Sequence, residues 1–275
     1  MKVGRHPFDL LMELHPQHIR LDCAALHLAR DVYADIDVSR YLRMLDALAE
    51  EVATRRPGLT APLRYEAMRD VLVDGHGFRG DTLRYADPQN SYLNRVLDRH
   101  LGVPISLCVI WIEVGRRLKW PVNGVALPGH FLVRFDDPER FVLADPFADG
   151  ESLSVADCRR LVTQCFGNAV RFTTSMIAPV ETRVVLGRML KNLRRIYLDR
   201  CDWPRLAAVL QRLVAVEPHS GQHLQDLASV CARRGDVRGA YGCLHLYLRR
   251  VPDAEDCDLV QWNLARLEAA LLARN

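Results

Sequence analysis

Gly102-Val-Pro-Ile-Ser-Leu-Cys108, then Pro128-Gly-His130-Phe-Leu-Val133, then Ala144-Asp145-Pro-Phe147 make up the stretch that decides the fold. Pro104 suits the first turn of a helix, where its missing N–H costs nothing. Phe131, Val133 and Phe135 then alternate, as do Phe141 and Leu143, with the polar run Asp136-Asp-Pro-Glu-Arg140 between them. That pattern predicts a hairpin with a short loop. A helix start followed by two antiparallel strands therefore carries a thiol, an imidazole and a carboxylate in chain order, within 38 residues. A thiol attacks as its thiolate, a form favoured by a helix N-terminus beside an imidazole. A carboxylate can orient that imidazole and stabilise its charged state.

Each of these residues also has a plainer reading. Cys108 lies among Ile105, Leu107, Val109 and Ile110, and burial among them would raise the thiol pKa and make it inert. His130 follows Pro128-Gly129, so the backbone is constrained there, but a hydrogen-bonded core histidine fits as well. Asp145 precedes a proline, as turn initiators do. Across the 136–140 loop His130 and Asp145 come within one residue of directly opposite, and a one-residue choice of register in the 129–146 hairpin decides whether they share a face. Ser106 could be a cap or a nucleophile. Asn90 and Asn94 could lend an amide to an oxyanion hole or brace a helix start.

Outward from this stretch, residues 19 to about 120 carry helical periodicity. One helix covers Tyr41 to Val52, with Asp37 or Ser39 as its cap, and Pro57-Gly58 ends it. Another runs from about Pro62 to Val73. A third begins at Pro88 and is closed by Gly102. After the hairpin come a helix from about Val155 to Cys165 and a plausible linker, Thr173–Pro179. The rest is helical and repeats: Asp202 and Asp236, Leu210 and Leu244, and Pro218 and Pro252 are each 34 residues apart. That period in helical sequence indicates tetratricopeptide-type helix pairs. Expected helices are Arg183–Tyr197, Trp203–Val216, His223–Ala232, Val237–Val251 and Leu259–Leu272.

The chain has 275 residues, 49% hydrophobic and 26% charged, with a net charge of +3. That is a soluble globular composition, and its balance is too weak to point to nucleic acid or an acidic membrane. The N-terminus lacks the apolar run of a secretory signal, and nothing is long and apolar enough to span a bilayer. The eight cysteines are scattered, without a Cys-x-x-Cys pair, so a reducing cytoplasm is expected rather than disulfides or zinc.

Tyr85-Ala-Asp-Pro-Gln-Asn-Ser-Tyr-Leu-Asn94, Val96-Leu97, Gly102–Leu107, Pro128–Val133 and Asp145–Phe147 together resemble the bacterial SirB-type family. Arg188-Met-Leu-Lys-Asn-Leu-Arg-Arg-Ile-Tyr197 is similar to the start of that family's second part. The resemblance covers nearly the whole chain from about residue 20. It implies an α+β fold: a mostly helical, transglutaminase-like (papain-like) domain with a small antiparallel sheet over residues 1–178, then an all-α segment of tetratricopeptide-like repeats over 179–275. His130 and Asp145 match the superfamily's catalytic scheme. Counting back from Pro121 places its usual Cys nearer Pro104, so Cys108 comes one turn late, about 6 Å along the axis.

Two functions follow. In one, the protein is a degenerate, non-catalytic member whose repeats bind a peptide or protein partner. In the other, Cys108, His130 and Asp145 form a cysteine-dependent amide hydrolase or acyltransferase, supported by Ser106, Asn90 and Asn94. Neither needs a metal or organic cofactor.

Overall fold

The computed structural model describes residues 5–56 and 58–272. Residues 1–4, where a signal would start, and Pro57 of the Pro57-Gly58 break lie outside the described residues. The chain divides into two compact units, Leu14–Met189 and the chain from Leu190 onward together with the stretch up to Glu13. That stretch contains helix α1 (Pro7–Leu11), which buries Phe8. Asp9 of α1 forms an ion pair with Arg212 within the same unit.

The Leu14–Met189 unit opens with α2 (Leu21–Leu28) and α3 (Val38–Thr54). Asp37 caps α3, its carboxylate accepting from the Arg40 N–H at 3.1 Å. The helix expected to reach Val73 does so, but changes type on the way. Helix α4 (Ala61–Arg69) passes into a π-helical turn, Asp70–Gly75. This wider turn keeps Val71 and Leu72 buried while Asp74 reaches back to pair with Arg69 at 2.9 Å.

Strand β1 (Arg79–Gly80) follows. The helix expected from Pro88 to Gly102 is broken in two. A 3-10 turn, Pro88–Ser91, leads to an extended Tyr92 (φ −94°, ψ 119°), and α5 (Leu93–Arg99) starts after it. His100, in the left-handed region at φ 57°, ends α5 ahead of Gly102. The break turns the Asn90 carbonyl toward the next helix, where it accepts from the Val103 N–H at 3.2 Å and the Ser106 hydroxyl at 2.5 Å. Strand β2 (Leu101–Gly102) pairs in parallel with β1 and delivers the chain into α6 (Pro104–Arg117).

Helix α6 is apolar on nearly every side, as a central core helix must be. Ile105, Leu107, Val109, Ile110, Trp111 and Val114 are all buried. Four strands, β3 (Val122–Val125), β4 (Leu132–Asp136), β5 (Phe141–Asp145) and β6 (Glu151–Leu153), form an antiparallel sheet in that order. Along β4, Leu132, Val133 and Phe135 are all buried. Period-two alternation is weak there because both faces are covered. Trp111 of α6 meets Phe135 edge-on at 6.0 Å. Leu132 and Leu143 pack instead with Cys158 and Val162 of α7 (Val155–Phe166).

The Thr173–Pro179 stretch, expected as a linker, is packed onto this unit. Ile177 is buried in the α7 cluster, its carbonyl accepts from Arg134 at 3.1 Å, and the Val180 N–H reaches the Gly124 carbonyl at 2.9 Å.

From Leu190 the chain is helical: the rest of α8 (Thr182–Asp199), then α9 (Trp203–Val216), α10 (Gly221–Arg233), α11 (Val237–Arg250) and α12 (Cys257–Leu272). The 34-residue period is visible in backbone geometry. Asp202 (φ −82°, ψ 77°) caps α9 by accepting from the Arg205 N–H at 3.2 Å. Asp236 (φ −81°, ψ 76°) caps α11 by accepting from the Gly239 N–H at 2.8 Å. Leu224 of α10, Tyr247 of α11 and Val260 of α12 form a common core. Among the described residues, no helix is long and apolar enough to cross a membrane.

Candidate functional site

The hairpin register sets Val133 against Ala144 and Asp136 against Phe141. Continued by one step, it places Asp145 opposite Leu132, two residues beyond His130. The imidazole and carboxylate therefore meet diagonally, with His130 Nδ1 4.0 Å from Asp145 Oδ2. That is outside hydrogen-bond range. Gly129, at φ 82°, forms the turn before His130, and a Cβ there would come within 2.7 Å of Cys165 Sγ on α7. The turn is thus held against α7, with His130 partly exposed.

Asp145 is buried and well anchored. Its Oδ1 accepts from the Phe147 N–H at 2.9 Å, and its carbonyl accepts from Ala148 and Gly150. Burial raises its pKa above the ordinary carboxylate range, against the lowering effects of the Phe147 N–H and of His130.

Cys108 is fully buried on α6. Its thiol donates to the Phe131 carbonyl at 3.4 Å. Burial pushes its pKa well above the usual thiol value, and the Asp145 carboxylate adds to the rise. The first turn of α6, where backbone N–H groups and the helix dipole favour a thiolate, holds Pro104, Ile105 and Ser106. Cys108 lies beyond that turn.

Ser106 and Asn90 have their bonding capacity taken up. The Ser106 hydroxyl accepts from the Val103 N–H at 3.1 Å and donates to the Asn90 carbonyl. The Asn90 amide donates to the Arg84 carbonyl at 2.8 Å and to Asp81 at 3.2 Å, and its oxygen accepts from Arg99 at 2.9 Å. Asp81 and Arg99, which the sequence reading did not single out, complete this brace at 3.3 Å. Asn94 is buried in α5, and its Oδ1 has no hydrogen-bond partner among the described residues. The structure thus brings Cys108, His130 and Asp145 into one region, and uses Ser106 and Asn90 to fasten the start of α6.

A second charged cluster lies at the far end of α6. Arg117 bonds Asp22 and Glu113, each at 2.8 Å, and Asp46 at 2.6 Å. Asp22 and Glu113 are fully enclosed, at 0% and 1% side-chain exposure. Among the described residues, no group of three or more His, Cys, Asp or Glu side chains could hold a metal ion.

Comparison with known proteins agrees with the architecture. Residues 39–191 match the model of the Transglutaminase-like superfamily, and residues 193–265 match a Tetratricopeptide repeat model. A UPF0162 protein of Xylella fastidiosa is 34% identical over 264 residues, covering 94% of both chains. One from Pseudomonas aeruginosa is 29% identical over 195 residues, covering 67% of this chain and 71% of that one. Human F-box only protein 21 is 32% identical over 136 residues, 46% of this chain and 21% of that protein. No solved structure matches.

Proposed function

Because the chain belongs to the transglutaminase-like superfamily and continues into tetratricopeptide-type repeats, we propose that it is a non-catalytic, SirB-type member that works by capturing a peptide or protein segment on its repeat helices. The observation carrying this reading is Cys108, enclosed by the core with its thiol bonded to the Phe131 carbonyl. An attacking thiol needs access to substrate and a base in reach to take its proton. Here the thiol's pKa is raised and the helix dipole is spent before Cys108 is reached. The Leu14–Met189 unit would then act as a scaffold, and the repeat helices from Leu190 onward as the reader. Repeat helices build the concave surfaces on which peptides lie. All eight cysteines are unpaired, which supports a cytoplasmic setting.

A second reading keeps Cys108, His130 and Asp145 as an amide hydrolase or acyltransferase. The diagonal approach of His130 to Asp145 favours it. Here His130 would accept the thiol proton as sulfur attacks the carbonyl, and then return it to the leaving amine. An immobilised peptide array, probed with the full chain, separates the two readings. Under the first, Cys108→Ser retains the same bound peptides, and Ser229→Trp on α10 loses them. Cleavage or amine transfer that disappears in Cys108→Ser would establish the second.

A further inference from the structure

Two cavities lie along the repeat helices, and Ser229 of α10 lines both. The larger, about 530 Å³, runs between α10 and α12, with walls of Ala228, Ala232, Leu259, Leu267 and Ala270. The smaller, about 200 Å³, adjoins α8 and α9 and includes Leu198, Leu206 and Leu210. The apolar walls offer a place for side chains, and the charged groups say which side chains fit.

The carboxylates in these cavities have protein partners, a cation at Asp226 and neutral donors at Asp256, which keeps its charge. Asp226 pairs with Arg194 at 2.6 Å, and Asp256 accepts from Tyr247 and Gln225. Burial is outweighed at Asp256 by the Tyr247 hydroxyl, which keeps its pKa below the usual carboxylate range. Two arginines are different. Arg233 lies over the Trp203 ring at 5.1 Å, and Arg266 over the Trp262 ring at 4.7 Å. Neither has a carboxylate partner among the described residues. A guanidinium stacked on an indole is held in place by cation–π attraction, yet keeps its edge N–H groups free for two-point bonding to a carboxylate. Both line the cavities that Ser229 joins.

We infer that the groove over α8, α10 and α12 takes an acidic peptide segment, with Arg233 and Arg266 gripping its carboxylates and the Ala and Leu walls receiving its apolar side chains. This rests on the proposal that the repeats capture a peptide, and it names the chemistry of that peptide. Preordered guanidiniums lose little freedom on binding, so each should contribute strongly to affinity. Nucleic acid would also be drawn to arginine, but pockets walled by alanine and leucine suit aliphatic side chains better than bases.

The test uses the full chain and fluorescence anisotropy with short fluorescein-labelled peptides of alternating Glu and Leu, Gln and Leu, or Lys and Leu. The Glu–Leu peptide should bind at least about tenfold more tightly than the others, weakening with salt. Arg233→Ala and Arg266→Ala should each weaken it about tenfold. The double variant Arg233→Glu, Arg266→Glu should transfer preference to the Lys–Leu peptide, a gain that misfolding cannot mimic. Equal binding of the Glu–Leu and Gln–Leu peptides, lost in Ser229→Trp, would overturn the acidic assignment while leaving peptide capture intact. Binding of none of the three would overturn both. Preference for a labelled oligouridylate over the Glu–Leu peptide would also overturn it, in favour of RNA.

Discussion

Replacing Arg117 by methionine removes one of two arginines that bridge a pair of enclosed carboxylates, Asp22 and Glu113, each bonded to Arg117 at 2.8 Å and each within 1% of complete burial. Breaking a buried pair by deleting one partner costs about 3–5 kcal/mol. The lower end applies here, because Asp22 keeps Arg20 at 2.8 Å and Arg116 at 3.1 Å, and Glu113 keeps Arg116 at 2.8 Å. A loss of about 3 kcal/mol lowers Tm by roughly 6–12 °C in a domain of this size. Thermal unfolding at pH 7, followed by tryptophan fluorescence, reads it, since Trp111 and Trp120 lie in the same unit as the cluster.

The pH dependence identifies the cause. Asp22 is held below the ordinary carboxylate range by its arginines, against the cost of burial. Its ionisation therefore stabilises the fold above the unfolded pKa of about 4, and that contribution is lost as pH falls from there through the folded value. Glu113 is shifted the other way, chiefly by burial and then by Asp22. Its penalty is absent below the unfolded pKa and complete above the raised folded one. In the Arg117→Met variant Glu113 takes up its proton at a higher pH still, so the Tm gap should narrow as pH is lowered from about 7 toward 4. Arg117→Lys, which keeps the charge but not the planar fork, should fall between wild type and Arg117→Met. A gap below about 1 kcal/mol, or one that does not change with pH, would show that Arg117 does not hold the two carboxylates.

Three further substitutions bear on the candidate site. Gly80→Ala places a Cβ 2.5 Å from the Phe147 ring and 2.7 Å from the Phe147 carbonyl oxygen, which cannot rotate away, so a calorimetric loss of about 1–3 kcal/mol is expected. Asn90→Ala leaves Arg99 and the Arg84 carbonyl without their amide partner and should cost about 2 kcal/mol in chemical denaturation, whereas Asn90→Ser should recover part of it. Asp145→Asn can still accept from the Phe147 N–H and abolishes a carboxylate that burial disfavours. Because the folded pKa is raised, ionisation of Asp145 destabilises above the ordinary carboxylate range, so this variant should be within about 1 kcal/mol of wild type at pH 7, with any gain disappearing toward pH 4.

The helices that bury one broad face, and the 34-residue repeat, were legible from the sequence, because periodicity and Asp caps are local signals. Asp37 caps the helix for which it was a candidate, and Asp202 and Asp236, legible as a pair 34 residues apart, turn out to cap α9 and α11. The interruption at Tyr92 was not legible. It depends on the Asn90 carbonyl finding Val103 and Ser106, more than ten residues on. The packing of Thr173–Pro179 was missed for a similar reason: Ile177 is held by Arg134 and by a core built from the sheet. Cys108, His130 and Asp145 could be named from residue type and order. Their relation could not, since a diagonal hairpin register decides it. Arg233 and Arg266 gave no signal at all, because each is defined by stacking on a distant or helical-neighbour tryptophan.

Whether Cys108 is an inert core thiol is read from the alkylation rate of each cysteine by iodoacetamide from about pH 5 to 9, resolved by mass spectrometry, in wild type and His130→Ala. The exposed Cys165 and Cys201 should label early, with Cys108 protected at every pH in both proteins while the fold persists. Rapid labelling of Cys108 at the acid end, abolished by His130→Ala, would contradict an inert thiol and establish an activated thiolate.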